Sequence, residues 1–383
     1  MKSTHIKTSS LAAFLVALGL AVSGCGNDSN PAETENVTTN EGDADDTPTD
    51  PNLINGVRWP GAGWTSTLAE DLGLNPAGLD QMRDYAFEPS RNTQALLVVF
   101  QGQLIGEWYA PGYTKDSLAT SWSVAKSFLS VLFGIALDQG LFDSLDEQVG
   151  LYIPEWADDA RGTITIRQLL QMRSGLNTLD EDIYSEPDQL AYALNRELAD
   201  SPTWYYANSD SMVLGKVLEV LTSMDAEAYA RQELFEPMGM TTAQWWRDPL
   251  GQPLTYCCID ATPRDFARFG LMATRLGTWR DAQVVSDSFL EESYLPQEDA
   301  YWYGLHWWTY ADENLRFAIA RGYHEQLIYV FPDSDLVVLR FGIYNKVGEG
   351  NQLSFTNYHS TEEPSSWDDQ TFLGYVGNLF SPN

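Results

Sequence analysis

Three short patterns in the chain carry the residue types that acyl-transfer chemistry uses. The first is Ser123-Val124-Ala125-Lys126, inside "TSWSVAKSFLS". Residues three apart lie on one helix face, so hydroxyl and amine meet within a single turn. At the start of a buried helix the hydroxyl also faces the positive end of the helix dipole. An amine kept from water beside polar partners loses basicity and can take the serine proton. Of six lysines, Lys126 is the one with a serine three residues before it. Burying a lysine in an otherwise apolar helix is costly without a task. The plain alternative is a side chain that snorkels to the surface.

The second pattern is Tyr206-Ala207-Asn208, in "PTWYYANSD". In an extended segment a two-residue spacing points both side chains the same way. A tyrosine can relay a proton, and an asparagine can bond both a lysine and a substrate amide. Tyr205 has no asparagine at that spacing. A Tyr-rich packing loop is the structural alternative. The third pattern is Gly322-Tyr323-His324-Glu325-Gln326. A sheet-edge strand beside the serine can lend a main-chain N–H to an oxyanion hole. His324 can add a donor that holds substrate, or be an ordinary turn residue.

The elements that must position these groups follow from apolar periodicity. Residues 95–100 and 104–110 read as a hairpin turning at Gly102. A helix starts at Ser123, apolar nearly all round and therefore buried, and stops at Gly140. "GLFDSLDEQVGLYIPEW" reads as a loop. From residue 164 to about 296 the pattern is mainly helical, with two helices joined near Ser223–Asp225. Another begins at Thr262 as cap and Pro263 as first helical residue. Strands return in "YGLHWWTY", "RFAIARG", "QLIYVFP" and "DLVVLRFG", with a turn at Asp333-Ser334-Asp335, and a helix closes the chain. Strands at both ends around a helical middle imply an α+β fold. One antiparallel sheet is flanked by helices, and an all-helical subdomain is inserted. The α/β part covers residues 54–163 and 297–383, the insertion 164–296.

The first 53 residues read differently. Lys2 and Lys7 precede an apolar run, Leu11 to Val22, too short for a permanent membrane span but suited to a secretory signal over residues 1–24. Residues 25–53 form an acidic tether that cannot bury enough surface to order itself. The formal charge is −32, of which −26 remains over the folded part. That argues against nucleic acid, which needs a basic surface. It is consistent with solvated acidic faces. Cys257 and Cys258 adjoin each other and read slightly better as buried thiols than as a disulfide, and no spacing suits a metal. No cofactor is implied.

In order and spacing, the three patterns resemble the serine β-lactamase and penicillin-binding-protein superfamily. The likeness is to its class C β-lactamase, D-alanyl-D-alanine carboxypeptidase and esterase branch. "ALLVVFQGQLIGEWY", "ITIRQLLQMRSGL" and "TPRDFARFGLMATRLGTW" extend the likeness over residues 90–345. The nearest flavour is the 6-aminohexanoate-dimer hydrolase group, where a short Gly-x-His/Asn-Gly-Gln turn replaces the Lys-Thr-Gly strand motif. Here Glu325 stands where that group has Gly, and would repel an anionic substrate.

The resemblance implies that Ser123 is acylated, Lys126 is its base, and Tyr206 passes the proton to the leaving group. It implies that Asn208, His324, Gln326 and, in the loop before, Tyr184 contact substrate. Ser123 N–H and an N–H near Gln326 would form the oxyanion hole. "VSGC" resembles a bacterial lipobox, implying lipidation of Cys25. Gly26 after it points to the outer membrane rather than inner-membrane retention. The function implied is a secreted, lipid-anchored hydrolase of a small ester or amide. The alternatives are carboxypeptidase or β-lactamase activity, or a non-catalytic cell-wall-binding lipoprotein. A Ser-His-Asp hydrolase would need Gly-x-Ser-x-Gly, which does not occur. A glycosidase using paired carboxylates, with Trp302, Trp307 and Trp308 as platforms, is the weaker rival.

Overall fold

The computed structural model describes residues 50–177, 181–199, 203–311, 316–344 and 366–382. The signal, Cys25 and nearly all of the tether lie outside the described residues. Among those described, no helix is long and apolar enough to cross a membrane.

The centre is a six-stranded antiparallel sheet. Its strands are β1 (Thr93–Phe100), β2 (Gln103–Tyr109), β3 (Trp308–Ala311), β4 (Arg316–Gly322), β5 (Gln326–Phe331) and β6 (Leu336–Gly342). Their spatial order is β3-β4-β5-β6-β1-β2. Pairing of β6 with β1 joins the N-terminal hairpin to the C-terminal strands. β1 is buried along its whole length because both faces are covered. Leu97 and Val99 enter one apolar cluster, Leu96 and Val98 the other, as a two-residue repeat requires.

The longer helices are α1 (Pro76–Ala86), α2 (Ala125–Asp138), α3 (Asn208–Thr222), α4 (Pro263–Thr274) and α5 (Asp369–Asn378). α1 and α5 pair on one face of the sheet. α4 lies on the other, so close that a Cβ on Gly270 would stand 2.6 Å from Val337 Cγ1. Thr262 caps α4 by accepting from Asp265 N, with Pro263 first in the helix, as the sequence suggests. α2 is buried from Ala125 to Ala136 and is followed by Gly140 at φ +69°. It packs against α3, which brings Lys126 to Asn208.

Three features differ from the sequence reading. The strand expected over "YGLHWWTY" begins only at Trp308, because His306 takes φ +58° and breaks the extended backbone. Segment 164–296 is not a lobe apart. α4 belongs to the sheet layers, and Ile259–Ala261 pairs with both Ala119–Thr120 and Gln244–Trp245 in a small three-stranded ribbon. Strands of two or three residues leave no periodicity to read. Cys257 and Cys258 are joined as a disulfide rather than standing as thiols. The chain turns between them, with Cys258 at φ +71°.

Candidate active site

The nucleophile segment is fixed before the helix proper begins. Ser123 lies in a 3-10 turn, Trp122–Val124, that leads into α2. Trp122 holds φ +47°, a region that costs a bulky residue energy unless its surroundings impose it. Those surroundings are visible. Ser121 N donates to Ile259 O at 2.8 Å, Ile259 N donates to Ser121 Oγ at 2.8 Å, and Cys258 N donates to Trp122 O at 3.0 Å. On the other side stands the end of β4. A Cβ at Gly322 would lie 2.3 Å from Ser121 O and 3.1 Å from Ser123 N, so only glycine lets this strand run along the serine.

Lys126 is 1% exposed. Its Nζ lies 3.2 Å from Ser123 Oγ, 2.8 Å from Asn208 Oδ1 and 2.7 Å from the carbonyl of Tyr256. Two of those partners only accept, whereas the third is a hydroxyl that can also donate. A neutral amine therefore fits without rearrangement. Nζ donates to all three, and in a neutral amine the same position would turn the lone pair toward the serine O–H. The same three positions suit the ammonium once it has taken that proton. Lys126 Nζ also sits 4.8 Å from the centre of the Tyr206 ring.

The Tyr206 hydroxyl lies near enough to the Ser123 side chain to feel it. Desolvation pushes its pKa well above the ordinary phenol value, and Ser123 offsets this in part. The phenol is thus protonated at neutral pH and is a donor in the resting site. Ring contacts with Tyr303 and Trp308 hold it, at 6.1 and 5.9 Å between centroids. Asn208 opens α3, its Oδ1 on Lys126 and its Nδ2 donating to Tyr184 Oη at 2.9 Å. Tyr184 therefore steadies Asn208, and its ring abuts Tyr256.

The β4–β5 turn places the remaining residues. His324 and Glu325 both take positive φ, +58° and +52°. Arg340, fully buried on β6, donates from Nη1 to His324 O at 2.7 Å and to Glu325 O at 2.9 Å, and from Nε to Thr93 Oγ1. Burial lowers the Arg340 pKa to about 10. His324 is 7% exposed and its ring packs on Tyr323, and burial and then Arg340 lower its pKa. Its Nε2 has no hydrogen-bond partner among the described residues.

Gln326 does not serve as a substrate contact through its side chain. Oε1 accepts from Gly342 N at 2.9 Å, and Nε2 lies 3.4 Å from Gly342 O, so the buried amide ties β5 to β6. The charge on Glu325 is not free either. It makes an upward contribution to the pKa of Arg340, whose value burial lowers overall, and of Arg321, where desolvation and Asp369 act more strongly.

Sequence reading passed over Trp122, the Tyr256 carbonyl and Arg340, and it gave Gly322 no role of its own. It also missed His306, whose buried ring is 3.0 Å from Ser211 Oγ and whose carbonyl accepts from Ser127 Oγ. A main-chain carbonyl leaves no sequence signal. Arg340 does leave one, being a charge inside the apolar strand "LVVLRFG". No cluster among the described residues could hold a metal ion.

A serine held by a buried lysine and a tyrosine, beside a sheet strand in this α+β architecture, defines the β-lactamase-fold class of hydrolase. The chain belongs to the Beta-lactamase family, whose model matches residues 80–348, within the serine β-lactamase and penicillin-binding-protein superfamily. Members of that family are serine hydrolases. The 6-aminohexanoate-dimer hydrolase of Paenarthrobacter ureafaciens is 22% identical over 293 residues, 65% of this chain and 72% of that protein. Beta-lactamase-like protein 2 of Dictyostelium discoideum is 25% identical over 155 residues, 36% of this chain, and the match spans only 28% of that protein. The solved D-stereospecific amidohydrolase of Streptomyces sp. superposes with a TM-score of 0.57 at 16% identity, covering 78% of this chain and 98% of that one.

Proposed function

We propose that the protein is a lipid-anchored serine hydrolase of the bacterial cell envelope that cleaves a small, uncharged ester or amide through an acyl-enzyme on Ser123. The observation that carries this reading is the set of partners around Lys126 Nζ, which matches a neutral base facing Ser123 Oγ. Lys126 takes the hydroxyl proton as Oγ attacks the carbonyl carbon. Main-chain N–H groups of Ser123 and of the β4–β5 turn receive the developing oxyanion. On collapse, the proton passes from Lys126 through the Tyr206 hydroxyl to the departing oxygen or nitrogen. Water then enters, gives its proton back along the same pair, and releases the acid. Lys126 and Tyr206 titrate as one unit in this scheme.

The substrate class follows from what lines the serine. On the face of β4 toward Ser123 stand Ala318, Ala320 and Gly322, while Arg321 faces away and pairs with Asp369. No cation on that strand meets a substrate carboxylate, which weighs against β-lactamase or carboxypeptidase activity. Aromatic rings pack around the serine and its base, Tyr206 and Tyr303 against Trp308, and Trp122 against Tyr323. The name of the Paenarthrobacter relative adds weight to the amide half of the proposal. Anchoring at Cys25, with the acidic tether as spacer, would hold the domain at the outer membrane.

A fluorophosphonate probe tests the reading. It should label the wild-type chain and leave Ser123→Ala unlabelled. An unlabelled wild type would support the cell-wall-binding alternative. A panel of nitrophenyl esters, nitrocefin, D-amino-acid peptides and short linear amides then orders the substrates, with neutral esters or amides expected first.

A further inference from the structure

The segment Tyr256–Ile259 meets the nucleophile and its base from behind, through main-chain atoms. The Tyr256 carbonyl accepts from Lys126 Nζ at 2.7 Å. Two residues later, Cys258 N donates to Trp122 O at 3.0 Å, immediately before the serine. Ile259 O and N then bracket Ser121. Between the contact to the base and the contact to the nucleophile segment lie only Cys257 and Cys258, joined to each other and fully buried. The sulfurs close a ring through one peptide bond. That ring fixes ψ of Cys257, one of the two rotations that relate the Tyr256 carbonyl to the Cys258 amide, and φ of Cys258, which directs the chain on to Ile259. Cys258 stands at φ +71°, where a non-glycine residue is uncommon without such a constraint. Flanking contacts hold the outside of the turn. Trp245 Nε1 donates to Cys257 O at 2.9 Å and Trp246 N to Cys258 O at 2.8 Å.

We propose that the Cys257–Cys258 disulfide is a positioning element of the acylation centre. It keeps the Tyr256 carbonyl on Lys126 and keeps Trp122 in the left-handed conformation that presents Ser123. The inference rests on the reading of Ser123 and Lys126 given above. Its consequence is redox dependence of turnover. A phosphine delivers two electrons to the S–S bond. Water gives two protons to the sulfurs and its oxygen to phosphorus, leaving two thiols and a phosphine oxide. Freed from the ring, Cys258 relaxes toward negative φ, and both main-chain contacts move off their partners.

The test combines a Cys257→Ser/Cys258→Ser double variant with reversible reduction of the wild type. The fluorophosphonate labelling rate and kcat should each fall about 100-fold, the scale set by a displacement near 1 Å at a reacting group. KM should stay within twofold. Phosphine treatment of the wild type should give the same fall, reversed by oxidised glutathione, and should not affect the double variant. Leu373→Ala, in the apolar cluster on the far face of the sheet, lowers stability without touching this segment and should keep its kcat. Labelling of the double variant within twofold of wild type, or two free thiols at 257 and 258 in the native chain, would overturn the proposal. If the double variant does not fold, the reduction and reoxidation cycle decides, and an unchanged kcat in reduced protein overturns it. A wild type that takes no label instead removes the hydrolase reading on which the proposal stands.

Discussion

Arg340 Nη1 donates to the carbonyl of His324 at 2.7 Å, reaching from the interior of β6 to the turn that closes over the serine. The same guanidinium also serves Glu325 O, Thr93 Oγ1 and the carbonyl of Arg91. Two consecutive residues at positive φ are held in place by one buried cation, so the shape of the β4–β5 turn depends on a residue outside it.

Replacing Arg340 with Leu leaves the buried His324 carbonyl and the part-buried Glu325 and Arg91 carbonyls without this donor. Each such loss costs about 1–3 kcal/mol, so the variant should lose about 3–5 kcal/mol in urea denaturation. The turn should relax as well, and acylation of Ser123 in the surviving folded fraction should slow by about tenfold or more. A stability loss below 1 kcal/mol would show that the turn does not depend on Arg340.

The sheet, the buried α2 helix and the Thr262 cap were legible because each leaves a local pattern: period two, period 3.6, or a cap followed by proline. Lys126 was legible because a charge in an apolar helix is conspicuous. Arg340 presents the same anomaly in a strand, and equal attention to "LVVLRFG" would have found it. The bonds of Gln326 to Gly342 could not be foreseen, because a glutamine in a turn motif looks alike whether it faces a ligand or its own sheet. The Tyr256 carbonyl was hidden for another reason. Any residue supplies a main-chain carbonyl, and only the three-dimensional path of the chain brings this one to Lys126.

Gly322→Ala isolates the contact between β4 and the nucleophile segment. The added methyl would lie 2.3 Å from Ser121 O, a backbone atom that cannot rotate away. Either the strand or the serine must shift, and overpacking of this kind costs about 1–3 kcal/mol. The expected result is a folded protein of lower Tm whose acylation rate falls about 100-fold with little change in KM. A variant with wild-type kcat would mean that β4 can retreat without disturbing Ser123.

Lys126→Ala and Tyr206→Phe should separate the two halves of the proton path. On the proposed mechanism Lys126 takes the Ser123 proton, so turnover should fall by several orders of magnitude. Tyr206→Phe keeps the base and the ring contacts but removes the relay. Its loss should be greater for an alkyl ester or amide than for a nitrophenyl ester, whose leaving group needs no proton. Equal losses on both substrates would place Tyr206 in nucleophile activation rather than in leaving-group protonation.

His306 links this site to acid stability. Burial, and then Lys126 in its protonated form, lowers its pKa to about 3 from 6.5. Below pH 6.5 the unfolded chain binds a proton that the folded chain refuses, so stability falls as pH drops from 6.5 toward 3. At about 1.4 kcal/mol per unit the whole span amounts to about 4–5 kcal/mol. Carboxylates contribute their own losses in the same range, so the measurement is a difference. His306→Gln, which can keep a partner for Ser211 Oγ, should lose less stability between pH 6.5 and 4 than the wild type does. Lys126→Met should shift the His306 imidazole resonances in an NMR titration to higher pH, because one of the two causes of the depression is gone. Unchanged resonances would mean that burial alone keeps the ring neutral.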